Sequence, residues 1–407
     1  MKVYFVSLGC PKNLTDTEVL LGKLAASGHQ IVATPKQAEL IIVNTCAFLA
    51  TSRAEAKKTL QELATWKKKG QCKNIYVAGC LPVWNRKFNA GRAIKYADGE
   101  IDSIHLDNYR APRIKATPPW SAYVKIAEGC ANRCSYCLIP TIRGRLRVRP
   151  VTDILLEVKA LVAKGVKEII FIAQDTTAHP DFADLLRKTA KIKGLKWVRI
   201  MYTHPAHLTD EIIEVIARNK AIVKYLDLPI QHACDKILNA MERRYTRRDL
   251  ENLISKIRRR IPEVALRSTV IVGFPGEGEA EFQELLSFVR SVKFERLGAF
   301  TYQKEKGTPA EKMRGQVPEK VKLERFQKIM RAQARISREK NRKMIGQLIA
   351  TIIEGGSQGR FIGRSYMDAP GIDGTVIVSS SKNLPPGKIV KVRVKKSRTY
   401  DLFGGLT

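Results

Sequence analysis

Gly129-Cys130-Ala131-Asn132-Arg133-Cys134-Ser135-Tyr136-Cys137 sets three cysteines in a CxxxCxxC run directly after the strand-like stretch Tyr123–Ile126. Three thiolates on one tight loop can ligate three irons of a cubane cluster, which normally takes four cysteines. The fourth iron is then open to a further ligand. Tetrahedral zinc is the plain alternative, but it needs a fourth Cys or His close by, and none follows in sequence.

Downstream of this loop, strand and helix patterns alternate. Tyr123–Ile126, Glu168–Ala173, Trp197–Tyr202, Tyr225–Leu228, Arg267–Val272 and Arg296–Thr301 read as strands. Thr152–Lys164, Thr209–Arg218, Thr246–Arg260 and Glu279–Val292 read as helices between them. Six β/α units predict a curved parallel sheet, a partial (β/α)6 barrel, with its site at the carboxyl ends of the strands.

Upstream, Val3–Ser7, Leu40–Asn44 and Asn74–Ala78 read as strands, with helices at Leu14–Ser27 and Ser52–Lys69, again a parallel α/β arrangement. A cysteine follows shortly after each strand: Cys10, Cys46 and Cys80. In an open parallel sheet these positions converge on the ligand crevice, so a second three-cysteine site is expected there. The bland alternative is three small buried hydrophobes. Cys72, in a lysine-flanked turn, and Cys234 are not expected to be ligands. Asn85–Trp120, ending in Thr117-Pro118-Pro119, reads as a linker. Past the sixth unit comes a long basic helix, Pro318–Ile345. Leu348–Ile353, Gly359–Tyr366, Gly374–Val378 and Ile389–Val394 then read as short strands broken by Gly and Pro, a small antiparallel barrel. The α/β chain is thus divided into domains at 1–113, 114–341 and 342–407.

At 407 residues, 44% hydrophobic and 27% charged, the composition is that of a globular protein of two or three domains. Seventy-two basic against 39 acidic residues give a net charge of +33, which favours polyanionic partners or serves a lysine-rich surface. No apolar run is long enough to cross a bilayer and no cleavable leader is read, so a cytoplasmic protein without a membrane partner is expected. In that reducing compartment the eight cysteines are metal ligands or thiols rather than a disulfide framework. Arg143, Arg145, Arg147 and Arg149 alternate along the chain, either presenting charge to an anionic substrate or RNA, or forming a solvated basic edge strand. The six histidines show no catalytic pattern. His232 is a pocket-lining candidate.

The CxxxCxxC loop, with Tyr136 before its last cysteine, resembles the radical SAM superfamily. That resemblance implies a [4Fe-4S] cluster on Cys130, Cys134 and Cys137 that binds and cleaves S-adenosylmethionine (SAM). It also implies SAM contacts from Tyr136, Gln174, Asp175, Arg267 and Gly273. Each is a weak signal alone, since Asp175 could simply cap a helix and Gly273-Phe274-Pro275-Gly276 could be only a turn. The chemistry is then borne by the cofactors, and no side chain is assigned as catalytic.

The three-domain order resembles the methylthiotransferase family over nearly the whole chain, with the terminal barrel similar to a TRAM domain. It implies a second, auxiliary [4Fe-4S] cluster on Cys10, Cys46 and Cys80. The wording Ser7-Leu8-Gly9-Cys10-Pro11-Lys12-Asn13-Leu14, Ala173-Gln174-Asp175-Thr176-Thr177, Gly363-Arg364-Ser365-Tyr366 and Asp368-Ala369-Pro370 resembles the branch that modifies a ribosomal protein. The tRNA-modifying branch usually reads Gly-Cys-Gln-Met-Asn at the first cysteine. Ala47 and Ala131 depart from the usual pattern without removing a ligand. The resemblance implies methylthiolation of an aspartate β-carbon in the twelfth small-subunit ribosomal protein, free or in the assembled subunit. Ribosomal RNA is a further contact, and the reaction calls for a reducing electron donor and a sulfur donor. Two alternatives stay open: a tRNA adenosine methylthiotransferase, and a non-catalytic metal-containing RNA-binding protein.

Overall fold

A computed structural model of the chain describes residues 1–89 and 94–406. The first unit comprises β1 (Lys2–Ser7), α1 (Pro11–Ala26), β2 (Gln30–Ile31), β3 (Leu40–Thr45), α2 (Ala50–Ala64), α3 (Trp66–Lys69), β4 (Asn74–Gly79), α4 (Cys80–Phe88) and β5 (Gly99–Ile101). Its sheet runs β2-β1-β3-β4-β5 with every pair parallel. The central strand β3, Leu-Ile-Ile-Val-Asn-Thr, is buried along its whole length, as a run covered on both faces must be. Pro11 occupies the first turn of α1, where its missing N–H costs nothing. The expected single helix Ser52–Lys69 divides into α2 and α3. The expected linker begins as α4 and contributes the edge strand β5; its positions 90–93 lie outside the described residues.

The central unit comprises β6 (Ser121–Lys125), β7 (Ala127–Glu128), α5 (Ile139–Arg143), β8 (Arg147–Val148), α6 (Val151–Ala163), β9 (Glu168–Ile172), α7 (Phe182–Ala190), β10 (Trp197–Ile200), α8 (Asp210–Arg218), β11 (Ile222–Asp227), α9 (Asp235–Ala240), α10 (Arg247–Arg260), β12 (Ala265–Val272), α11 (Glu279–Val292), β13 (Arg296–Thr301) and α12 (Glu319–Arg342). Its six-stranded sheet runs β13-β12-β11-β10-β9-β6, all parallel and open between its ends. Along β9 the side chains alternate between two apolar layers. Ile169 and Phe171 pack with residues of α6, α7 and α8, whereas Ile170 and Ile172 turn to the other face.

That other face is covered by the last unit. β14 (Leu348–Ser357), β15 (Arg360–Ser365), β16 (Val376–Ser379), β17 (Ile389–Ser397) and β18 (Leu402–Leu406) close a barrel in the order β14-β15-β16-β18-β17. The sequence reading missed β18, and the barrel is not wholly antiparallel, because β16 and β18 pair in parallel. Ile170, Ile172, Trp197, Val223 and Tyr225 of the central sheet join Ile352, Phe361, Val376 and Val392 of the barrel in one apolar cluster.

Buried ion pairs add to this joint. Glu168, wholly buried, accepts from Arg199 Nε at 2.9 Å, from Arg364 Nη1 at 3.0 Å and from Ser121 Oγ at 3.1 Å. Arg296 donates to Asp368 at 2.9 Å, and Tyr225 Oη to Asp373 at 2.9 Å. The terminal barrel is therefore part of the central unit's core, not an appended module. Among the described residues no helix is long and apolar enough to cross a membrane.

Burial alone would raise the Glu168 carboxyl, but Arg364 and Arg199 outweigh it and hold it at about 2. A depressed carboxyl stabilises the fold above its unfolded value near 4.3 and loses that contribution as pH falls through the folded one. Stability should therefore drop between roughly pH 4 and about 2. At neutral pH, Glu168→Gln should cost roughly 3–5 kcal/mol, because buried Arg199 loses its carboxylate and Arg364 keeps only Glu354. Denaturant unfolding of both proteins measures this, and equal midpoints would show that the joint does not depend on Glu168.

Candidate iron–sulfur active site

Cys10 caps α1, Cys46 follows β3 and Cys80 opens α4, so all three stand at the carboxyl edge of one parallel sheet. The Cys10 and Cys80 thiols both face Asn13 Oδ1, at 3.9 and 3.8 Å. Asn13 is fixed by its own donation to the Thr45 carbonyl at 2.8 Å and by Arg143, which donates to its Oδ1. Gly9 has a positive φ of 97°, and a side chain there would begin 2.9 Å from Cys46 Cβ. Glycine is thus needed for the first and second cysteines to come together.

The electrostatics of these thiols differ. Burial alone would raise Cys10, yet the nearby Lys12 and Arg143 cations outweigh it and hold it below the ordinary thiol value. Cys80 is pushed up to about 11, because burial prevails over the same Arg143. Cys46 is raised too, chiefly by burial. Iron binding has to displace those protons, which couples loading to pH.

The second triad rides on the loop between β7 and α5. Gly129 has a φ of 77°, and a side chain on it would begin 2.2 Å from the Arg145 carbonyl oxygen, so the chain can pass there only without one. Each sulfur meets an N–H donor. Asn132 offers its backbone N–H at 3.4 Å and its amide at 3.5 Å to Cys130 Sγ. Arg243 reaches Cys134 Sγ at 3.5 Å, and the Ile139 N–H reaches Cys137 Sγ at 3.5 Å. Donors aimed at thiol sulfurs fit anionic, iron-ligating thiolates, and both donor sets match a cubane with one iron left open. Burial, with help from Cys134, pushes Cys137 up to about 12 in the absence of iron.

Cys130, Cys134 and Cys137 line a cavity of about 250 Å³ together with Tyr136, Gln174, Asp175, Tyr202, His204 and Gln231. Phe48, from the loop after Cys46, lines it as well, so the two cysteine sites share a wall. Gln174 Oε1 and Gln231 Oε1 are buried acceptors without a partner among the described residues. A ligand bearing amino groups, as SAM does, suits them. Asp175 is held by Asn132 at 2.8 Å, Thr177 at 2.9 Å and His207 at 2.7 Å. Burial opposes its charge, but these partners, His207 foremost, keep its carboxyl below the usual value.

The fold therefore brings Tyr136, Gln174 and Asp175 to the cavity. Arg267 and Gly273 are not among its lining residues. Arg267 pairs with Asp227 at 2.7 Å and extends toward Asp373 of the barrel at 3.4 Å. Gly273 donates to Glu277 Oε1 at 2.9 Å and lies against Lys322. His232 does not line the cavity either; it is wholly buried with Nε2 3.3 Å from Glu277 Oε2. His204 takes the lining position, in a loop after β10 whose place at a strand's carboxyl end was the available signal. The alternating arginines are not one exposed edge. Arg145 and Arg147 are exposed, but Arg143 is buried against Asp16 and Glu128, and Arg149 against Asp153 and Glu157. Carboxylates from distant segments turn them inward. Cys72 and Cys234 lie in separate apolar clusters.

Arg243 is itself pinned by the Tyr245 hydroxyl at 2.7 Å and the Pro229 carbonyl at 2.8 Å. Hydrogen bonds to cluster sulfurs stabilise the more negative, reduced state. Arg243→Met should therefore keep the iron but shift the loop cluster's midpoint potential to more negative values in an EPR-monitored redox titration. An unchanged potential would mean that the contact has no electronic weight.

Comparison with known proteins agrees with this architecture. The Radical SAM superfamily matches residues 124–289, the Uncharacterized protein family UPF0004 residues 2–97, and the TRAM domain residues 345–406. Among solved structures, the radical SAM methyltransferase TsrM from Kitasatospora setae, with a SAM analogue and tryptophan bound, shares the fold at a TM-score of 0.55. It is 13% identical, and the match covers 88% of this chain and 79% of that one. The ribosomal protein uS12 methylthiotransferase RimO of Pelotomaculum thermopropionicum is 43% identical, with 99% of each chain covered. That of Desulforamulus reducens is 43% identical, with 98% of each covered. At such identity over its whole length, the chain belongs to the ribosomal protein uS12 methylthiotransferase RimO family.

Proposed function

We propose that this chain transfers a methylthio group to the β-carbon of an aspartate in uS12, the twelfth small-subunit ribosomal protein. The observation that carries the reading is the shared wall. Phe48, beside the auxiliary cysteines, and Tyr202, beside the loop cysteines, line one cavity, so sulfur delivery and radical formation can address the same carbon. When bound, SAM and two [4Fe-4S] clusters supply the electron, the hydrogen abstraction and the methylthio sulfur that side chains cannot. The protein's own residues hold those groups in line. Cys130, Cys134 and Cys137 ligate the loop cluster, and Cys10, Cys46 and Cys80 the auxiliary one. Asn132 and Arg243 orient sulfurs, and Gln174, Asp175 and Tyr136 border the SAM position. Arg267 and Gly273, also expected from the family pattern, are engaged with Asp227 and Glu277.

The outer face of β17 fits a further contact with ribosomal RNA. Lys391, Arg393, Lys395 and Lys396 are exposed, while Val392 and Val394 between them are buried. A reducing electron donor and a sulfur donor complete the partners, and the setting is the cytoplasm. Substrate docking falls to the barrel region 342–407, the auxiliary cluster to 1–113 and SAM chemistry to 114–341.

Anaerobically reconstituted enzyme, given SAM, sulfide, a reductant, uS12 and bulk tRNA, should add the methylthio mass to uS12 alone. Gain of that mass on tRNA would establish the other branch's activity instead. Iron should reach about eight per chain and fall by about half when either triad is changed to alanine. Loss of Cys130, Cys134 and Cys137 should abolish 5′-deoxyadenosine formation, whereas loss of Cys10, Cys46 and Cys80 should spare it and remove only the methylthio product. Equal loss in both variants would overturn this division of labour.

A further inference from the structure

Lys12 is the second residue of α1, two positions past Cys10, and it is only 8% exposed. Its ammonium lies 3.2 Å from the centroid of the Tyr202 ring, and Tyr202 lines the cavity of the loop cysteines. The cation therefore stands in the seam between the two cysteine sites. Among the described residues no carboxylate or other hydrogen-bond acceptor reaches it, and the opposite charge acting on it most is that of Cys10.

The neighbouring carboxylates are already engaged. Asp227 accepts from Arg267 at 2.7 Å and from the Tyr202 N–H at 3.0 Å. Glu128 accepts from Lys125 at 2.7 Å and from Arg143 at 3.0 Å. Asp16 accepts from the same two cations. An ammonium carries three N–H donors, and one ring face satisfies at most one of them. The seam thus presents N–H donors without an acceptor, which a carboxylate arriving there would supply.

We infer that Lys12 binds the side-chain carboxylate of the substrate aspartate and thereby positions its β-carbon between the two cysteine sites. The inference rests on the function proposed above. The carboxylate is attached directly to the carbon that is thiolated, so one ion pair at Lys12 fixes the reacting atom to within a bond length. The same contact reads the substrate. An asparagine offers a neutral amide there, and an adenine ring offers no anion. Lys12 is a substrate-positioning residue, and it takes no part in bond making.

The competing role is neutralisation of the auxiliary cluster through the adjacent Cys10. The test uses full-length, anaerobically reconstituted enzyme, purified uS12, and uS12 carrying asparagine at the modified position. Wild type should bind native uS12 at least about tenfold more tightly than the asparagine form, as expected for a buried charge pair. Lys12→Met, uncharged and of similar length, should erase that preference and raise KM for native uS12 about tenfold. Its iron content, 5′-deoxyadenosine formation and loop-cluster potential should stay unchanged, while the auxiliary potential moves to more negative values with the loss of a cation beside Cys10. Lys12→Arg should retain a preference for the aspartate form. A preference that survives in Lys12→Met overturns the inference. So does a shifted auxiliary potential with discrimination intact, which would assign the ammonium to the cluster. If wild type modifies tRNA and leaves uS12 untouched, the functional reading itself fails, and this inference with it.

Discussion

Arg143 sits where three requirements of the molecule meet. Its guanidinium donates to Asn13 Oδ1, the oxygen faced by Cys10 and Cys80, and to Glu128, the residue before Gly129 and the cysteine loop. It also bonds Asp16 of α1 at 3.0 Å, while Lys125 closes the ring of charges from the end of β6. Four buried charges in alternating sign are costly to bring together, but each satisfies its neighbours once the two domains are docked. Geometry at a radical centre must be held to fractions of an ångström, and a bidentate, planar cation is well suited to that. Lose Arg143, and Asn13, Asp16 and Glu128 lose the guanidinium that joins them.

Elsewhere the same principle recurs at larger scale. Glu18, wholly buried, pairs with Arg113 and accepts from the N–H groups of Ala116 and Thr117 at 2.7 and 3.1 Å. The connection between the first two domains is thus clamped along its length. On the opposite side, Glu168 with Arg199 and Arg364, and Arg296 with Asp368, tie the barrel to the face of the sheet that the helices leave bare. An open β/α sheet would otherwise expose Ile170, Ile172 and Trp197 to water. The barrel completes the core, and its outward basic strand is a second duty on the same scaffold.

What the sequence disclosed follows from the range of the interactions concerned. Cys130, Cys134 and Cys137 stand on one short loop, so spacing alone marks them as a proposed ligand set. Cys10, Cys46 and Cys80 are far apart, yet each marks the end of a strand whose apolar pattern is plain, and the parallel topology assembles them. The arginines of 143–149 were opaque, because nothing local distinguishes a side chain bound for solvent from one whose carboxylate partner lies in α1. Arg243 and Tyr202 were missed for the same reason. Lys12 was quoted as wording, and its isolation from every acceptor appears only once the domains are packed. β18, Leu402-Phe403-Gly404-Gly405-Leu406, carries two glycines that weaken its strand signal, and its parallel pairing with β16 has no turn to announce it. The residues expected around the cavity divided similarly. Gln174 and Asp175 follow their strand directly, while Arg267 lies within β12 and is claimed by Asp227.

The charge ring around Arg143 also sets an order of assembly. Asp16 and Glu18 leave the ribosome long before their partners, since Arg143 lies 127 residues and Arg113 95 residues downstream. Until those arginines arrive, the first domain has two carboxylates that cannot be buried as ions, and Cys10 and Cys80 lack the guanidinium of Arg143. Domains usually fold in the order in which they are made, yet here the first cannot finish before the second has begun. Completion of the Cys10, Cys46 and Cys80 site therefore belongs to a late stage of maturation, after the loop of Cys130, Cys134 and Cys137 has been synthesised and docked.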